Sequence, residues 1–355
     1  MNPIRILVDS FADADALNAQ MANSRDIMSR LDPARFHVTT FCVGKPDARL
    51  LQRPSTSLIQ LPRRRQTIRI LRELVWGRHR ILFYVKPSPA ERIYLGLPEV
   101  FRKGKIAIGS VESQSDLRSE PTVKPEQVRM WERTVLKSDF LTANSHSVQA
   151  SLKREYGLES EVVSTGVDTK FFQPASSTSV NARPRILFVG ALRPFKGPQV
   201  VLRAAARFPA ADFLIVGDGV LADELKRDGN GLKNLAFVRA LDAAALREEY
   251  RRSDIFLFPS RWEGSPKVIL EAASCAVPVI ARRDYQPESV VHEQTGLLGS
   301  SDEEVLEHLA TLLAAPDLRR KMGVAGRAHV AQFDWDIVTR RWEDIFERLA
   351  RGNEA

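Results

Sequence analysis

The chain has 355 residues, of which 44% are apolar, and its formal net charge at pH 7 is +8. This length allows two ordinary domains, each with its own core. Because it has no run of eighteen apolar residues and opens with a strand-like segment, we expect neither a transmembrane helix nor a signal peptide, and predict a cytoplasmic protein. Cys42 and Cys275 lie in apolar or helical surroundings, which favours buried free thiols, and no His/Cys cluster has the spacing of a zinc site.

The first half alternates short apolar runs with helical or polar segments. The predicted strands are Ile4 to Val8, Phe36 to Val43, Ser57 to Leu61, Ile81 to Val85, Ile106 to Ile108 and Leu141 to Ala143. A helical pattern through Ala16, Met21, Ile27, Met28 and Leu31 follows the first strand. Asn144-Ser145 is an N-cap signal for a helix through Tyr156. This alternation is typical of a parallel sheet with crossover helices.

The positive charge is concentrated in the first half. Residues 1–180 contain 27 Lys and Arg against 19 Asp and Glu, whereas the remainder contains 25 of each kind. Within residues 63–80, one Glu accompanies seven arginines, Arg63, Arg64, Arg65, Arg69, Arg72, Arg78 and Arg80. Such a segment attracts anionic surfaces, and without a nucleic-acid motif we expect membrane lipid as its partner rather than nucleic acid. A solvated helix face is the alternative.

A polar segment from Pro174 to Pro184, with a proline at each end, predicts a linker. Beyond it the alternation restarts, with predicted strands at Arg185 to Gly190, Phe213 to Gly217, Ala236 to Val238, Ile255 to Phe258 and Val277 to Ala281. We therefore predict two domains, residues 1–178 and 184–334, followed by an amphipathic C-terminal helix over residues 335–355. Two α/β halves leave a cleft between them, a favoured position for a ligand.

The stretch from Pro259 to Pro278 carries the strongest candidate site. Ser265 and Pro266 predict the N-cap and first residue of a helix that follows a buried strand. Glu263 precedes this helix and Glu271 lies in its second turn, so two carboxylates converge at the carboxyl end of a strand, where open α/β sheets bind ligands. Helix N-terminal amides also suit a phosphate. A dipole partner and a solvated charge are the simpler interpretations of the two glutamates.

Two more motifs precede this stretch. Residues 190–197 read Gly-Ala-Leu-Arg-Pro-Phe-Lys-Gly after a strand, and residues 216–219 read Val-Gly-Asp-Gly. Together with the two glutamates eight positions apart and with Cys275-Ala276-Val277-Pro278-Val279, they resemble the donor-binding half of family-4 glycosyltransferases. The resemblance covers roughly residues 140–345. It implies the GT-B fold, an α/β architecture in which two Rossmann-like domains face a central cleft, with the acceptor bound by the first domain and the nucleotide sugar by the second. It also implies that the C-terminal helix over residues 335–355 crosses back toward the first domain.

The resemblance also implies a role for each matching residue. Lys196 would hold the donor diphosphate, Glu271 would accept the ribose hydroxyls, and Glu263 would contact the transferred sugar. The other residues expected at the donor are Gly190, Arg193, Gly217, Gly219, Ser265, Pro266, Lys267 and Val268. A fixed cation and helix dipoles stabilise a departing nucleoside diphosphate, so no essential metal is expected. The co-substrate implied is a UDP- or GDP-linked sugar.

Several positions depart from the family pattern. Ala191 replaces a common Arg, and Arg193 is the nearest cation that can serve instead; Ala276 replaces a Gly. In the first half, residues 9–18 replace a Gly-Gly loop. Glu112, in Ser-Val-Glu-Ser, stands where many members carry a catalytic-site His, so we include it as a candidate catalytic residue that binds an acceptor hydroxyl or a basic acceptor.

Other candidates are weaker. Gly217-Asp218-Gly219 lacks the third glycine of a dinucleotide fingerprint. His79, His146 and His292 are isolated in the sequence. Tyr285 and Glu288 fall where the family places a loop beside the donor, although a surface turn is an equal alternative.

The resemblance therefore implies a retaining hexosyltransferase that uses a nucleoside diphosphate sugar to build a lipid-linked or cell-envelope glycan, peripheral on the inner face of the membrane. Two alternatives stay open. A nucleotide-sugar epimerase of the same fold would convert donor without acceptor. A non-catalytic sugar-nucleotide-binding or membrane scaffold protein would bind donor without transfer.

Overall fold

The computed structural model describes residues 2–14, 19–102, 104–112, 124–175 and 181–352. The chain forms two compact units: Met1–Ser164 with Trp335–Ala355, and Thr165–Asp334. Among the described residues, no helix is both long enough and apolar enough to cross a membrane. Each unit is built around one parallel sheet.

The sheet of the first unit has seven strands in the described part of the chain. These are β1 Ile4–Phe11, β2 Phe36–Cys42, β3 Thr56–Gln60, β4 Ile81–Phe83, β5 Ile106–Val111, β6 Phe140–Ala143 and β7 Glu161–Val162, in the order β3-β2-β1-β4-β5-β6-β7. Its helices are α1 Ala19–Arg30, α2 Ala48–Gln52, α3 Gln66–Trp76, α4 Pro89–Leu95, α5 Glu99–Arg102, α6 Pro125–Glu132, α7 His146–Tyr156 and α14 Trp335–Arg351.

Helix α14 belongs to the core of the first unit. Its apolar face packs against the sheet, with the Trp342 and Phe346 rings centred 4.6 and 5.0 Å from the Phe83 ring. Glu343 of this helix accepts a hydrogen bond from the Asp32 amide at 2.8 Å and pairs with Arg35 at 2.9 Å. The helix segment therefore contributes both apolar and charged contacts to the unit formed by the beginning of the chain.

The sheet of the second unit has six described strands. These are β8 Arg185–Val189, β9 Asp212–Val216, β10 Leu235–Val238, β11 Ile255–Phe258, β12 Val279–Arg282 and β13 Gly296–Gly299, in the order β10-β9-β8-β11-β12-β13. Its helices are α8 Pro198–Arg207, α9 Ala222–Asp228, α10 Ala243–Arg251, α11 Lys267–Ser274, α12 Asp302–Ala314 and α13 Pro316–Val330. The strands are buried along most of their length, which explains their continuous apolar runs.

The predicted strands are present, with ends that differ from the predicted ones by at most three residues. Sequence reasoning missed β7, which has two residues, and β13, which begins and ends with glycine. The structure divides the chain earlier than the predicted boundary at residues 178–184. Residues after Ser164 pack with the second unit: the Val167 amide donates to the Phe333 carbonyl at 2.9 Å, and Phe172 lies in that core.

Three predictions fall partly on residues that the structure does not describe. The residues outside the described ranges are 176–180 of the predicted linker, 15–18 of the loop after β1, which include Ala16, and Ser113, which follows Glu112.

Candidate active site

In the second unit the strand order reverses between β8 and β11, which are neighbours in the sheet. From β8 the chain continues to β9 on one side, and from β11 it continues to β12 on the other. Loops that leave the carboxyl ends of two such strands diverge, and open α/β sheets bind ligands between them. Lys196 lies in the loop after β8, and Glu263 lies in the loop after β11. Two residues 67 positions apart in sequence are thereby brought to one place.

The two loops are in direct backbone contact. The Arg261 amide donates to the Phe195 carbonyl at 2.9 Å, and the Phe195 and Trp262 rings stack with centroids 6.1 Å apart. Gly197 ends the short turn around Lys196 with φ +66°, and a Cβ there would lie 2.6 Å from the Pro259 carbonyl oxygen. Only glycine satisfies both the left-handed conformation and this close approach. The Lys-Gly pair of the motif therefore fixes the lysine against the neighbouring loop.

Lys196 and Glu263 form an ion pair between these loops. The Lys196 ammonium donates to Glu263 Oε1, which also accepts the hydroxyl of the fully buried Ser260 at 2.6 Å. Both charged side chains are mostly buried, so their attraction is less screened than that of a surface pair. Lys196, which was predicted to bind the diphosphate, and Glu263, which was predicted to contact the sugar, are thus in direct contact.

Glu271 is held by a buried tyrosine. The Tyr250 hydroxyl, on α10, donates to Glu271 Oε2 at 3.0 Å, and both side chains are buried. Burial, followed by the adjacent Glu271 carboxylate, raises the pKa of Tyr250 well above its ordinary value, so the phenol stays a donor. Nothing in the sequence near Glu271 indicated Tyr250, because the two residues lie 21 positions apart on different helices.

Helix α11 begins one residue later than predicted. Pro266 is the N-cap, with an extended ψ of 115°, and Lys267 is the first helical residue; among the described residues, no side chain caps the helix. The prediction of Ser265 as the N-cap and Pro266 as the first helical residue is therefore wrong. The amides of Lys267 and Val268 lie in the first turn, where helical amides lack intrahelical partners. The structure thus keeps a helix N-terminus directly after the Glu263 loop.

Gly217 and Gly219 lie where the loop after β9 touches the loop after β8. A Cβ on Gly217 would lie 1.9 Å from the Gly190 carbonyl oxygen, and a Cβ on Gly219 would lie 2.6 Å from the Leu192 carbonyl oxygen. Since such distances are far below van der Waals contact, these glycines are required for the loops to pass each other. Arg193 is exposed and lies in the loop after β8, three positions before Lys196.

Tyr285 follows β12 and is completely buried, and its hydroxyl has no hydrogen-bond partner among the described residues. Burial, with the nearby Glu263 charge as the next cause, raises the pKa of Tyr285 well above its ordinary value. The loop that was predicted to lie beside the donor therefore contains a buried tyrosine near the Glu263 charge. The surface-turn alternative is wrong for Tyr285.

In the first unit, Glu112 directly follows β5. Its Oε1 accepts the hydroxyl of the buried Tyr84, and its Oε2 accepts the Asn23 amide nitrogen at 3.3 Å. The Asn144 side chain donates to the Glu112 backbone carbonyl at 2.8 Å. Tyr84 adopts φ +62°, a strained conformation for a bulky residue. Glu112 is thus fixed on the first unit by groups from three other elements.

Sequence reasoning missed a pair of buried carboxyl groups in the first unit. Asp9 in β1 and Glu91 in α4 are both buried, and the Asp9 charge acts on the Glu91 carboxyl. The Lys86 amide donates to Asp9 Oδ2 at 3.0 Å, and Ser88 donates to Glu91. Burial and the Asp9 charge raise the pKa of Glu91 to about 10. Ser88-Pro89-Ala90-Glu91 has the spacing of a capping box, which is the signal that could have indicated this residue.

The remaining predicted residues lie outside these sites. Cys42 and Cys275 are buried free thiols, as predicted, and burial raises their pKa values to about 11 and about 12. His292 accepts the Leu298 amide at 3.0 Å, and His79 is buried, which lowers its pKa to about 3. The described residues contain no group of three or more His, Cys, Asp or Glu side chains placed to hold a metal ion.

Residues 169–329 match the family model described as glycosyl transferases group 1. The chain is 33% identical over 241 residues to the GDP-mannose-dependent monoacylated alpha-(1-6)-phosphatidylinositol monomannoside mannosyltransferase of Corynebacterium glutamicum. The aligned region covers 60% of this chain and 63% of that protein. It is 30% identical over 226 residues to the D-inositol 3-phosphate glycosyltransferase of Segniliparus rotundus, covering 57% and 50%. The chain thus spans between half and two-thirds of the length of these curated relatives.

Solved structures match the whole chain at lower identity. Sucrose-phosphate synthase from Thermosynechococcus elongatus superposes with a TM-score of 0.79 at 18% identity, over 99% of this chain and 100% of that one. The Anabaena protein Alr3699/HepE, solved in complex with UDP, gives a TM-score of 0.77 at 16% identity, over 97% and 99%. Two parallel-sheet α/β units and these matches confirm the predicted fold class. The chain therefore has the GT-B fold, and its second unit contains the residues that match the glycosyl transferases group 1 model.

Proposed function

We propose that the chain is a retaining family-4 hexosyltransferase that moves a sugar from a nucleoside diphosphate to an acceptor hydroxyl. The observation that carries this proposal is the meeting of Lys196 and Glu263 at the strand reversal of the second unit, beside the start of α11. Two of the relatives are named for transfer from GDP-mannose, and Alr3699/HepE was solved with UDP and with UDP-glucose. A UDP- or GDP-linked hexose is therefore the donor class that we assign.

Donor binding requires Lys196 to exchange partners. A diphosphate carries more negative charge than Glu263, so the ammonium moves its hydrogen bond to a phosphate oxygen, with Arg193 as a second cation. Glu263 then accepts from the transferred sugar while the Ser260 hydroxyl keeps the carboxylate in place. Glu271, held by Tyr250, accepts the ribose hydroxyls. The glycines Gly190, Gly217 and Gly219 keep the backbone close to the nucleotide.

In the reaction, the bond between the anomeric carbon and the diphosphate oxygen breaks, and a bond from that carbon to the acceptor oxygen forms on the same face. The acceptor proton passes to the departing phosphate oxygen. Lys196 and the first amides of α11, at Lys267 and Val268, stabilise the charge that develops on the phosphate. These groups supply the stabilisation with no metal in the scheme.

The acceptor is assigned to the first unit, where Glu112 is the candidate catalytic residue, and to a lipid-linked or envelope glycan. An arginine-rich surface supports placement on the inner face of a membrane. In helix α3, Ile68 and Trp76 are 71% and 68% exposed. Arg69 and Arg72 of the same helix are exposed too, as are Arg63 to Arg65 just before it. Exposed apolar side chains beside arginines favour the interface of an anionic bilayer.

A thermal-shift screen tests the donor assignment. The full chain is heated with UDP, GDP, ADP, NAD or their sugar conjugates, with and without magnesium, and with an unliganded control. A ligand that binds the folded state alone raises Tm. We expect stabilisation by one nucleoside diphosphate without magnesium, and its loss in Lys196→Ala. Equal stabilisation of wild type and Lys196→Ala by every nucleotide would overturn the site assignment. Conversion of the sugar nucleotide without acceptor would favour an epimerase.

A further inference from the structure

Aromatic side chains lie next to the Lys196 ammonium group in the second unit. The ammonium nitrogen lies over the Phe195 ring, 5.3 Å from its centroid, and over the Phe258 ring, 5.5 Å from its centroid. The Trp262 ring stacks on Phe195, with centroids 6.1 Å apart and planes inclined by 25°. We call Phe195, Phe258 and Trp262 the aromatic cradle. Its members come from the loop after β8, the end of β11 and the loop after β11.

The members of the aromatic cradle differ in how firmly they are held. Phe258 is completely buried and stacks on the buried Phe256 with centroids 5.9 Å apart, so it is part of the core. Phe195 is half-buried, and its backbone carbonyl accepts the Arg261 amide at 2.9 Å. Trp262 is 41% exposed and shields part of the Phe195 ring from water by stacking on it. Removing the Trp262 ring therefore loosens Phe195 and leaves the core in place.

A ring face attracts an ammonium group without using its N–H donors. The ring quadrupole acts on a positive charge at centroid distances up to about 6 Å, and Phe195 and Phe258 both lie within that range. A lysine ammonium has three donors, and Glu263 accepts from one of them. The aromatic cradle thus stabilises the position of the Lys196 charge and does not compete with a phosphate oxygen for its donors.

Exchange of Lys196 from Glu263 to a diphosphate needs such a contact. The ammonium is carried on a flexible four-carbon chain, so release by Glu263 alone would leave it without a fixed position. The Lys196 and Glu263 side chains are 19% and 11% exposed, and the neighbouring rings limit the hydration of the charge. The aromatic cradle therefore keeps the ammonium in one place while its hydrogen bond changes partner.

We propose that Phe195 and Trp262 are positioning residues for the donor diphosphate. Phe195 holds the Lys196 ammonium by its ring face, and Trp262 holds Phe195. This inference rests on the proposed transferase function, because it explains how Lys196 is kept ready for the diphosphate of the donor. Both residues act through the lysine, so their effect on binding depends on the presence of the ammonium and grows with the phosphate charge of the ligand.

Calorimetric titration of the full chain with UDP, UMP, GDP and GMP tests the proposal. The variants are Trp262→Ala, Trp262→Phe and Phe195→Leu, each also combined with Lys196→Ala. Leucine keeps an apolar side chain but has no ring face. Phe101→Ala is the matched control, because it removes an aromatic ring that is 56% exposed on α5 of the first unit. Circular dichroism monitors folding, and Phe195→Leu carries the test if Trp262→Ala does not fold.

We expect Trp262→Ala and Phe195→Leu to bind the nucleoside diphosphate about three- to tenfold more weakly than wild type, with a smaller loss for the monophosphate. Trp262→Phe restores most of the affinity because a ring still stacks, and Phe101→Ala behaves as wild type. In the Lys196→Ala background the substitutions cause no further loss, since the ammonium is absent. Equal losses for both phosphates, an undiminished loss in that background, or wild-type affinity in both variants would overturn the proposal.

A measurement without ligand separates failure of this inference from failure of the proposed function. If neither UDP nor GDP binds wild type, the donor assignment fails, and urea unfolding then tests the aromatic cradle alone. We expect Phe195→Leu to lower the urea midpoint less in the Lys196→Ala background than in wild type, because the ring there has no cation to hold. Equal decreases in the two backgrounds would overturn the contact between the ring and the lysine.

Discussion

The two units carry polar groups of different electrostatic character at the carboxyl ends of their parallel strands. At the edge of the second sheet, Lys196 and Glu263 neutralise each other and a helix N-terminus adds amide donors, so the site suits an anion. At the edge of the first sheet, the described side chains that donate to the Glu112 carboxylate are those of Tyr84 and Asn23, which are uncharged. Under the proposed function, the second unit binds the leaving diphosphate and the first unit binds the incoming acceptor. The loops, not the sheets, determine this difference.

The largest effect is expected from Glu263→Gln, which tests the chemistry of the second unit. Glutamine keeps the size and the Ser260 contact but loses the charge beside the transferred sugar. We expect kcat for donor hydrolysis to fall by about 10²- to 10³-fold while nucleoside diphosphate affinity stays within about threefold, because transition-state contacts act mainly on turnover. Steady-state kinetics and calorimetry measure the two. Glu307→Gln, an exposed acid on α12, is the control, and an equal loss of affinity would refute the role.

Lys196→Ala tests whether Lys196 binds the donor diphosphate. Removing a charge-assisted hydrogen bond to the diphosphate is expected to cost about 2–3 kcal/mol, roughly thirty- to hundredfold in affinity. Calorimetric titration with the nucleoside diphosphate that stabilises wild type measures this loss. Lys226→Ala on α9 is the matched control, because that lysine is exposed. Wild-type affinity in Lys196→Ala would show that the ion pair is structural only.

The arginine-rich surface distinguishes the first unit from the second in a further way. The double variant Ile68→Ser/Trp76→Ser is expected to lose at least about tenfold in binding to phosphatidylglycerol-containing vesicles, because two apolar side chains no longer leave water. Cosedimentation measures the bound fraction. The control is Val220→Ser/Val324→Ser, two residues of the second unit that are 74% and 68% exposed. Equal losses in both double variants, or no salt dependence, would refute an anionic membrane contact.

Tyr250→Phe removes only the hydroxyl that positions Glu271, and the ring keeps its packing. We expect nucleotide affinity to fall about three- to tenfold, since a hydrogen bond to a charged group is lost. The variant also discriminates less between a nucleoside diphosphate and its 2′-deoxy analogue, a readout that a purely structural role would leave unchanged. Competition binding with both nucleotides measures the ratio. An unchanged ratio would contradict assignment of Glu271 to the ribose.

The smallest expected effect concerns the buried pair Asp9 and Glu91. The raised pKa of Glu91, about 10 against an ordinary 4.5, means that the folded state holds a proton that the unfolded chain releases, so this group's contribution to stability falls as pH rises between those values. Glu91→Gln stays neutral throughout this pH range. We expect its Tm relative to wild type to increase from pH 5 to pH 9. A difference that stays constant would contradict the burial of a protonated carboxyl.

The sequence predicted the parts of the molecule that depend on local patterns. Apolar runs such as Ile255–Phe258 identified the strands, and the motifs that resemble a known family predicted Lys196, Glu263 and Glu271 as site residues. Partners that come from distant segments left no such pattern. Tyr250 reaches Glu271 from another helix, and Asn23 reaches Glu112 across 89 positions. The cap of α11 was missed because the extended ψ of Pro266 moves the first helical residue to Lys267.

The most direct test of the central claim is time-resolved ¹H NMR of donor hydrolysis by the full chain. The α-linked UDP- or GDP-hexose selected by the thermal-shift screen is incubated with the enzyme in water, and the anomeric signals are followed before mutarotation. A retaining hexosyltransferase releases the α-anomer first, and Glu263→Gln abolishes the signal. Initial release of the β-anomer, or a change of sugar configuration while the nucleotide stays attached, would contradict the account.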